Sequence, residues 1–242
     1  MATKQVLPGL WRIPYNLGPI PYTTAYLIQD GDELALVDTG IPGKARSVLS
    51  LLSKLRRQAA DVRHILITHH HYDHTGNLTQ LAERCGATIH VHALDAPITR
   101  GDAPVPGPST TGMQARVLGA IASRATPERL PRCEIGHEVQ DGEELPIAGG
   151  IVAIHTPGHT AGHTAFLWPR HGGVLLAGDA AANMGPRLSP PLSVFTEDQA
   201  AMRRSVAKLA GYSFETAVFG HGRPIRRGAS DRFRRLAERL TS

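Results

Sequence analysis

The chain has 242 residues, 41% of them hydrophobic and 19% charged, which supplies enough apolar material for a sizeable core and excludes a disordered, highly charged chain. The formal net charge is +5. The excess lies in arginine pairs of helix-like segments, Arg56-Arg57, Arg203-Arg204 and Arg234-Arg235, with no interleaved aromatic residues to stack on bases, so solvated helix faces are expected and no nucleic-acid partner.

In chain order, the first clear element is "TTAYLIQDGDELALVDTG". Two apolar runs, 25–28 and 34–37, flank Asp30-Gly31, a strong hairpin signal because glycine accepts positive φ. In "GKARSVLSLLSKLRRQ", Val48, Leu51, Leu52 and Leu55 recur at helical spacing. A short buried strand at 65–67 runs straight into "THHHYDHTG". "NLTQLAERCG" reads as a helix stopped by Gly86, and "ATIHVH" as a strand in which His90 and His92 are ordinary alternating residues. Cys85 and Cys133 form no C-x-x-C pair and read as small buried apolar residues in a reduced compartment.

Residues 100–132 break the pattern. "RGDAPVPGPSTTG" is an irregular Pro/Gly-rich loop and "MQARVLGAIASRA" a helix candidate. Together they read as an insertion, serving as a lid or as the contact of a homodimer. Strands resume at 151–154, 165–168 and 174–177. Thr196 then opens a helix, with Gln199 placed for a capping box and Met202, Val206 and Leu209 as its apolar stripe. "TAVFG" is a last strand, and Phe233, Leu236 and Leu240 mark a C-terminal helix. Two face-to-face sheets with helices outside would bury all these stripes, and no linker divides the chain. The N-terminus lacks the apolar core of a signal peptide, and no run approaches the ~20 apolar residues of a membrane span. A cytoplasmic protein without a membrane partner is expected.

His69 and His71 stand two apart in an extended segment, so both can reach one cation, while His70 points elsewhere as a spacer. Asp73 and His74 come where the chain turns toward a helix and can serve a second cation nearby. Two to four donors make a poor site alone. Further donors follow other strands: His155, His159 and His163 in "IHTPGHTAGH", Asp179 in "LLAGDAA" and His221 in "AVFGHGRPI". Each alone is more often a turn or capping residue, but the order of apolar strand, glycine and donor recurs, with Gly158, Gly178, Gly220 and Gly222 allowing close approach.

"THHHYDH" fits the pattern T-H-x-H-x-D-H at every fixed position, and "TPGHTAGH", "AGDA" and "FGHG" follow in order. In these motifs the chain resembles the metallo-β-lactamase superfamily of dinuclear hydrolases, the glyoxalase II and lactonase type above all, from "LALVDTG" to the C-terminal helix. The resemblance implies an α/β fold, a four-layer αβ/βα sandwich of two mixed β-sheets flanked by helices, spanning a single domain 1–242. It implies a first metal at His69, His71 and His159, a second at Asp73, His74 and His221, and Asp179 bridging them. Imidazole and carboxylate ligands suit two divalent ions, zinc first, with iron or manganese as other fits. His163 and His155 would support the ligands, and Asp38 would anchor a loop rather than bind metal.

The expected function is metal-dependent hydrolysis of a small ester-like bond, a thioester, lactone or carboxylic ester, by a metal-bridging hydroxide, with Asp73 also relaying a proton to the leaving group. β-Lactam cleavage ranks lower, because by the same resemblance the true lactamases lack a bridging aspartate where Asp179 stands. A nuclease ranks lower still. The alternative from another class is an iron-dependent oxidoreductase of sulfur or oxygen chemistry on the same ligands. A degenerate binding protein is disfavoured, since all seven ligand types are intact. Tyr22 and Arg187 are the candidate substrate-binding residues, with specificity expected from 100–132, the loop near Tyr22 and the loop 183–195.

Overall fold

The computed structural model describes residues 3–17, 20–107 and 126–241. The first sheet has seven strands in chain order: β1 (Lys4–Leu7), β2 (Leu10–Leu17), β3 (Ile20–Asp30), β4 (Glu33–Val37), β5 (Val62–Leu66), β6 (Thr88–His92) and β7 (His137–Val139). Its first four strands pair antiparallel and β4 to β7 parallel. The second sheet is ordered β12-β11-β10-β9-β8, from β8 (Glu144–Leu145), β9 (Ile151–His155), β10 (Thr164–Trp168), β11 (Val174–Leu176) and β12 (Thr216–Val218). Only its β11–β12 pair is parallel.

Period-two alternation sorts the side chains into layers. On β4, Leu34 and Leu36 join one apolar cluster with Val48, Leu51 and Leu52 of α1 (Arg46–Lys54) and Leu78 and Leu81 of α3 (Leu78–Cys85). Ala35 and Val37 point the other way, into a cluster between the sheets with Phe166, Trp168 and Val174. A third cluster packs Ile154, Leu175 and Phe219 against Met202, Val206 and Leu209 of α5 (Gln199–Ala210) and Phe233 and Leu236 of α6 (Ala229–Thr241). Three apolar seams between four layers make the expected sandwich of two mixed sheets with helices outside. Two further single-turn helices, α2 (Tyr72–Thr75) and α4 (Ala96–Thr99), follow β5 and β6.

The hairpin at Asp30-Gly31 forms with Gly31 at φ 61°, and Gly86 ends α3 in the left-handed conformation. The cap at Thr196 is corrected. Residues 193–195 form a 3-10 turn, Thr196 Oγ1 donates to the Leu192 carbonyl, and the true N-cap is Asp198. Its carboxylate accepts from the amides of Ala200 and Ala201 at 2.8 and 2.9 Å. Arg56-Arg57 is not helical either. The chain leaves α1 after Lys54, Arg56 takes φ 56°, and Arg57 pairs with Asp32 at 2.8 Å. The helix candidate "MQARVLGAIASRA" lies outside the described residues, as do residues 108–125 of the insertion as a whole. No helix among the described residues is long and apolar enough to cross a membrane.

Candidate metal centre

The seven candidate ligands follow β5, β9, β11 and β12, and folding brings all of them together. Nitrogen and oxygen donors of His69, His71 and His159 lie within 4.8 Å of one another, and so do those of Asp73, His74 and His221. Asp179 stands between the two triads: its carboxylate lies 3.4 Å from His159 Nε2, 3.6 Å from His74 Nε2 and 3.2 Å from His221 Nε2. Asp73 faces His74 and His221 at 3.7 and 3.4 Å.

Hydrogen bonds behind the ligands decide which ring nitrogens face inward. The Thr68 hydroxyl has one proton, and it goes to Asp38 at 2.9 Å. Toward His69 Nδ1, 3.0 Å away, the same oxygen can therefore only accept, so Nδ1 carries the hydrogen and Nε2 is bare. His74 Nδ1 donates to Asp38 at 2.8 Å, and His221 Nδ1 to the Tyr22 carbonyl at 2.5 Å; each turns its Nε2 inward. His163 Nε2 accepts the Asp179 amide at 3.0 Å while its Nδ1 meets Thr156 at 2.8 Å, which seats the carboxylate between the triads.

Electrostatics divide the site. Burial, and then neighbouring histidines, hold His69 well below the ordinary imidazole value, and burial followed by His70 pushes His71 to about 3. His159 is likewise lowered by burial and by His71. The first triad is thus three neutral imidazoles. In the second, burial would lower His74, but Asp73, Asp179 and Asp38 outweigh it and raise it to about 9. Burial opposes, and Asp179 and Asp73 override it, to raise His221 well above its usual range. Asp73 is depressed despite its burial, by His74 and His221.

This donor set fits divalent metal ions. His69 Nε2 and Asp179 Oδ1 are buried and have no hydrogen-bond partner, a costly arrangement unless something else engages them. Neutral imidazoles on one side and carboxylates on both are the ligand chemistry that zinc, iron and manganese share. Close approach needs glycine at 220: a Cβ there would stand 2.2 Å from Asp179 Oδ1 and 2.5 Å from His74 Cε1.

Of the other expected residues, Asp38 follows β4 directly and is no member of either triad, bonding instead to Thr68 and His74. His155 stacks on His92, 3.9 Å between centroids, and meets the Ala161 carbonyl. His90 is not merely an ordinary strand residue: it meets His64 at 3.0 Å and stands edge-on to His137. His70 is buried and turned from the ligands toward Asp95. Tyr22 is 39% exposed, edge-on to the His221 ring. Arg187 is exposed, and no hydrogen bond or ion pair ties it to the candidate ligands among the described residues. Cys85 and Cys133 are free thiols; Cys85 is buried as expected, whereas Cys133 is only partly so.

Sequence reasoning missed the residues that hold the loops from afar. Tyr26 Oη donates to the Phe219 carbonyl at 2.9 Å, Arg12 to that of Gly222 at 3.0 Å, and the Asn183 amide N–H to that of His221 at 3.2 Å. Their only sequence signal is a polar residue within an apolar strand or beside a glycine.

The profile of the metallo-beta-lactamase superfamily matches residues 19–221. The chain is 28% identical over 248 residues to the probable metallo-hydrolase YflN of Bacillus subtilis (strain 168), covering 92% of this chain and 89% of that protein. It is 30% identical over 199 residues to a hydroxyacylglutathione hydrolase of Pseudomonas aeruginosa (strain LESB58), covering 80% of this chain but 59% of that enzyme. Among solved structures, a metallo-beta-lactamase family protein from Thermus thermophilus superposes with a TM-score of 0.70 at 30% identity, over 97% of this chain and 79% of that one. The MIM-2 metallo-beta-lactamase superposes at 0.74 over 99% and 87%, but at 20% identity its likeness speaks to the fold alone. The chain belongs to the metallo-beta-lactamase superfamily and is a metal-dependent hydrolase.

Proposed function

We propose that the chain holds two divalent metal ions, zinc first, and hydrolyses a small thioester, with lactones and carboxylic esters as neighbouring substrates. The observation that carries this reading is Asp179, whose carboxylate lies within 3.2–3.6 Å of imidazoles from both triads. His69, His71 and His159 would hold one ion, Asp73, His74 and His221 the other, with Asp179 shared. When bound, such a pair supplies an attacking hydroxide at neutral pH and polarises the scissile carbonyl.

The chain's own groups do the rest. Asp73 stays ionised beside His74 and His221, so it can take a proton and hand it to the leaving group. Asp73, then burial, then Asp179 raise the Tyr22 hydroxyl above its ordinary value, so it keeps its proton and can donate to a substrate carbonyl or carboxylate at the cleft. No serine or cysteine bonds to the ligand cluster among the described residues, and burial pushes the Cys133 thiol up to about 11, which disfavours a protein nucleophile. One relative is named a hydroxyacylglutathione hydrolase; an acyl group carried on the glutathione sulfur is a thioester, which supports ranking that bond first. A large soft leaving group also suits the exposed apolar side chains of Met184 and Leu192 on the 183–195 loop.

The test is a metal count on the purified protein followed by a hydrolysis screen over thioesters, lactones, aryl esters, β-lactams and phosphodiesters. Two equivalents of metal and fastest turnover on a thioester are expected. One equivalent would force a mononuclear mechanism, and a redox-active iron with no hydrolysis would replace the reading with an oxidoreductase.

A further inference from the structure

Asp95 occupies the N-cap of α4, yet its side chain caps nothing. An aspartate at that position ordinarily accepts from the first amides of its helix. Here the carboxylate is fully buried and turned toward two other loops. Oδ2 accepts from the His70 amide at 3.0 Å and from the Thr160 hydroxyl at 2.8 Å, and it faces His70 Nδ1 at 3.1 Å. Oδ1 accepts from the Gly162 amide at 2.7 Å. A Cβ on Gly162 would stand 2.6 Å from Oδ1, so the contact requires glycine there.

These partners sit beside metal-ligand candidates. His70 lies between His69 and His71. Thr160 follows His159, and Gly162 is three residues from it. We infer that Asp95 is the positioning residue of the first triad: one buried carboxylate clamps the loop after β5 to the loop after β9 and holds His69, His71 and His159 in one constellation. Fixing residue 70 inward to Asp95 makes its two neighbours face the opposite way, toward a common centre. The second triad has a different clamp, Asp38, which bonds to His74 and Thr68. Through Thr68 Oγ1, Asp38 also reaches His69, whereas every bond of Asp95 goes to the loops that carry the first triad. The inference rests on the dinuclear reading above.

Asp95→Asn separates the two clamps. An amide nitrogen at the Oδ2 position would meet two donors, the His70 N–H and the Thr160 O–H; flipped, it would meet the Gly162 N–H. Either way at least one anchor is lost with shape retained. Protein stripped by chelation is titrated with zinc against a chromophoric competitor, and metal retained after desalting is measured. Wild type should hold two equivalents, and Asp95→Asn should bind one of them about 10–100-fold more weakly with the other unchanged. In a His159→Ala background, which leaves the second triad, adding Asp95→Asn should not alter the remaining affinity. A merely structural role would weaken both ions and would show in that background too; this result, or unchanged affinity for both, overturns the inference. Should Asp95→Asn not fold, Thr160→Val removes one anchor alone, and the same selective loss by a smaller factor is required. Wild type without metal would sink the dinuclear reading itself, and this inference with it.

Discussion

Thr68 has a single hydroxyl proton, and its delivery to Asp38 leaves His69 Nε2 bare. Decisions of this kind make the site. Asp38, itself at φ 59°, a strained position for a non-glycine residue, collects Thr68 and His74 and orders both. The candidate ligands were legible because H-x-H on an extended segment and a donor after each strand are local patterns. The supports were not, because Asp38 reaches Thr68 across 30 positions and Tyr26 reaches Phe219 across 193. Asp73 carries two proposed duties, ligand and proton relay. Asp73→Asn keeps its shape and removes its charge, so kcat at saturating metal should fall about 10²–10⁴-fold. A variant with full metal and full turnover would exclude the relay.

At the scale of elements, periodicity named α1, α3, α5 and α6 and the strands that carry the ligands. It missed β1, β2, β7 and β8. β7 and β8 span three and two residues, too short for alternation to register, and Pro14 interrupts β2. The misassigned cap shows why ends are hard to read: Thr196 and Asp198 both suit an N-cap, and the 3-10 turn at 193–195 takes up the Thr196 hydroxyl. Asp198→Ala should lower the melting temperature by about 2–4 °C, and Thr196→Ala by less. Equal effects in a thermal scan would return the cap to Thr196.

At the scale of the molecule, the sandwich buries histidines that take no part in the candidate metal centre. His90 faces His64, His137 and, beyond it, Glu143 on the inter-sheet side of the first sheet. Burial, then His64 and His137, lower it to about 4, while the unfolded chain titrates near ~6.5. The unfolded state therefore binds more protons between those values, and stability is full above about 6.5 and lost as pH falls toward 4. Urea denaturation of chelator-treated protein should show that decline between pH 7.5 and 5. His90→Gln should flatten it by up to about 1.4 kcal/mol per pH unit; an unchanged slope would remove His90 as a cause. By itself the sequence determined the class of fold, the alternating faces of the strands and the identity of the candidate ligands, because these depend on spacing along one segment. Only the tertiary structure decided which nitrogen each histidine turns inward, that Asp179 lies between the triads and that Asp95 ties the loop after β5 to the loop after β9. Hydrogen-bond direction and donor distance depend on where remote segments meet, and spacing along the chain does not encode that.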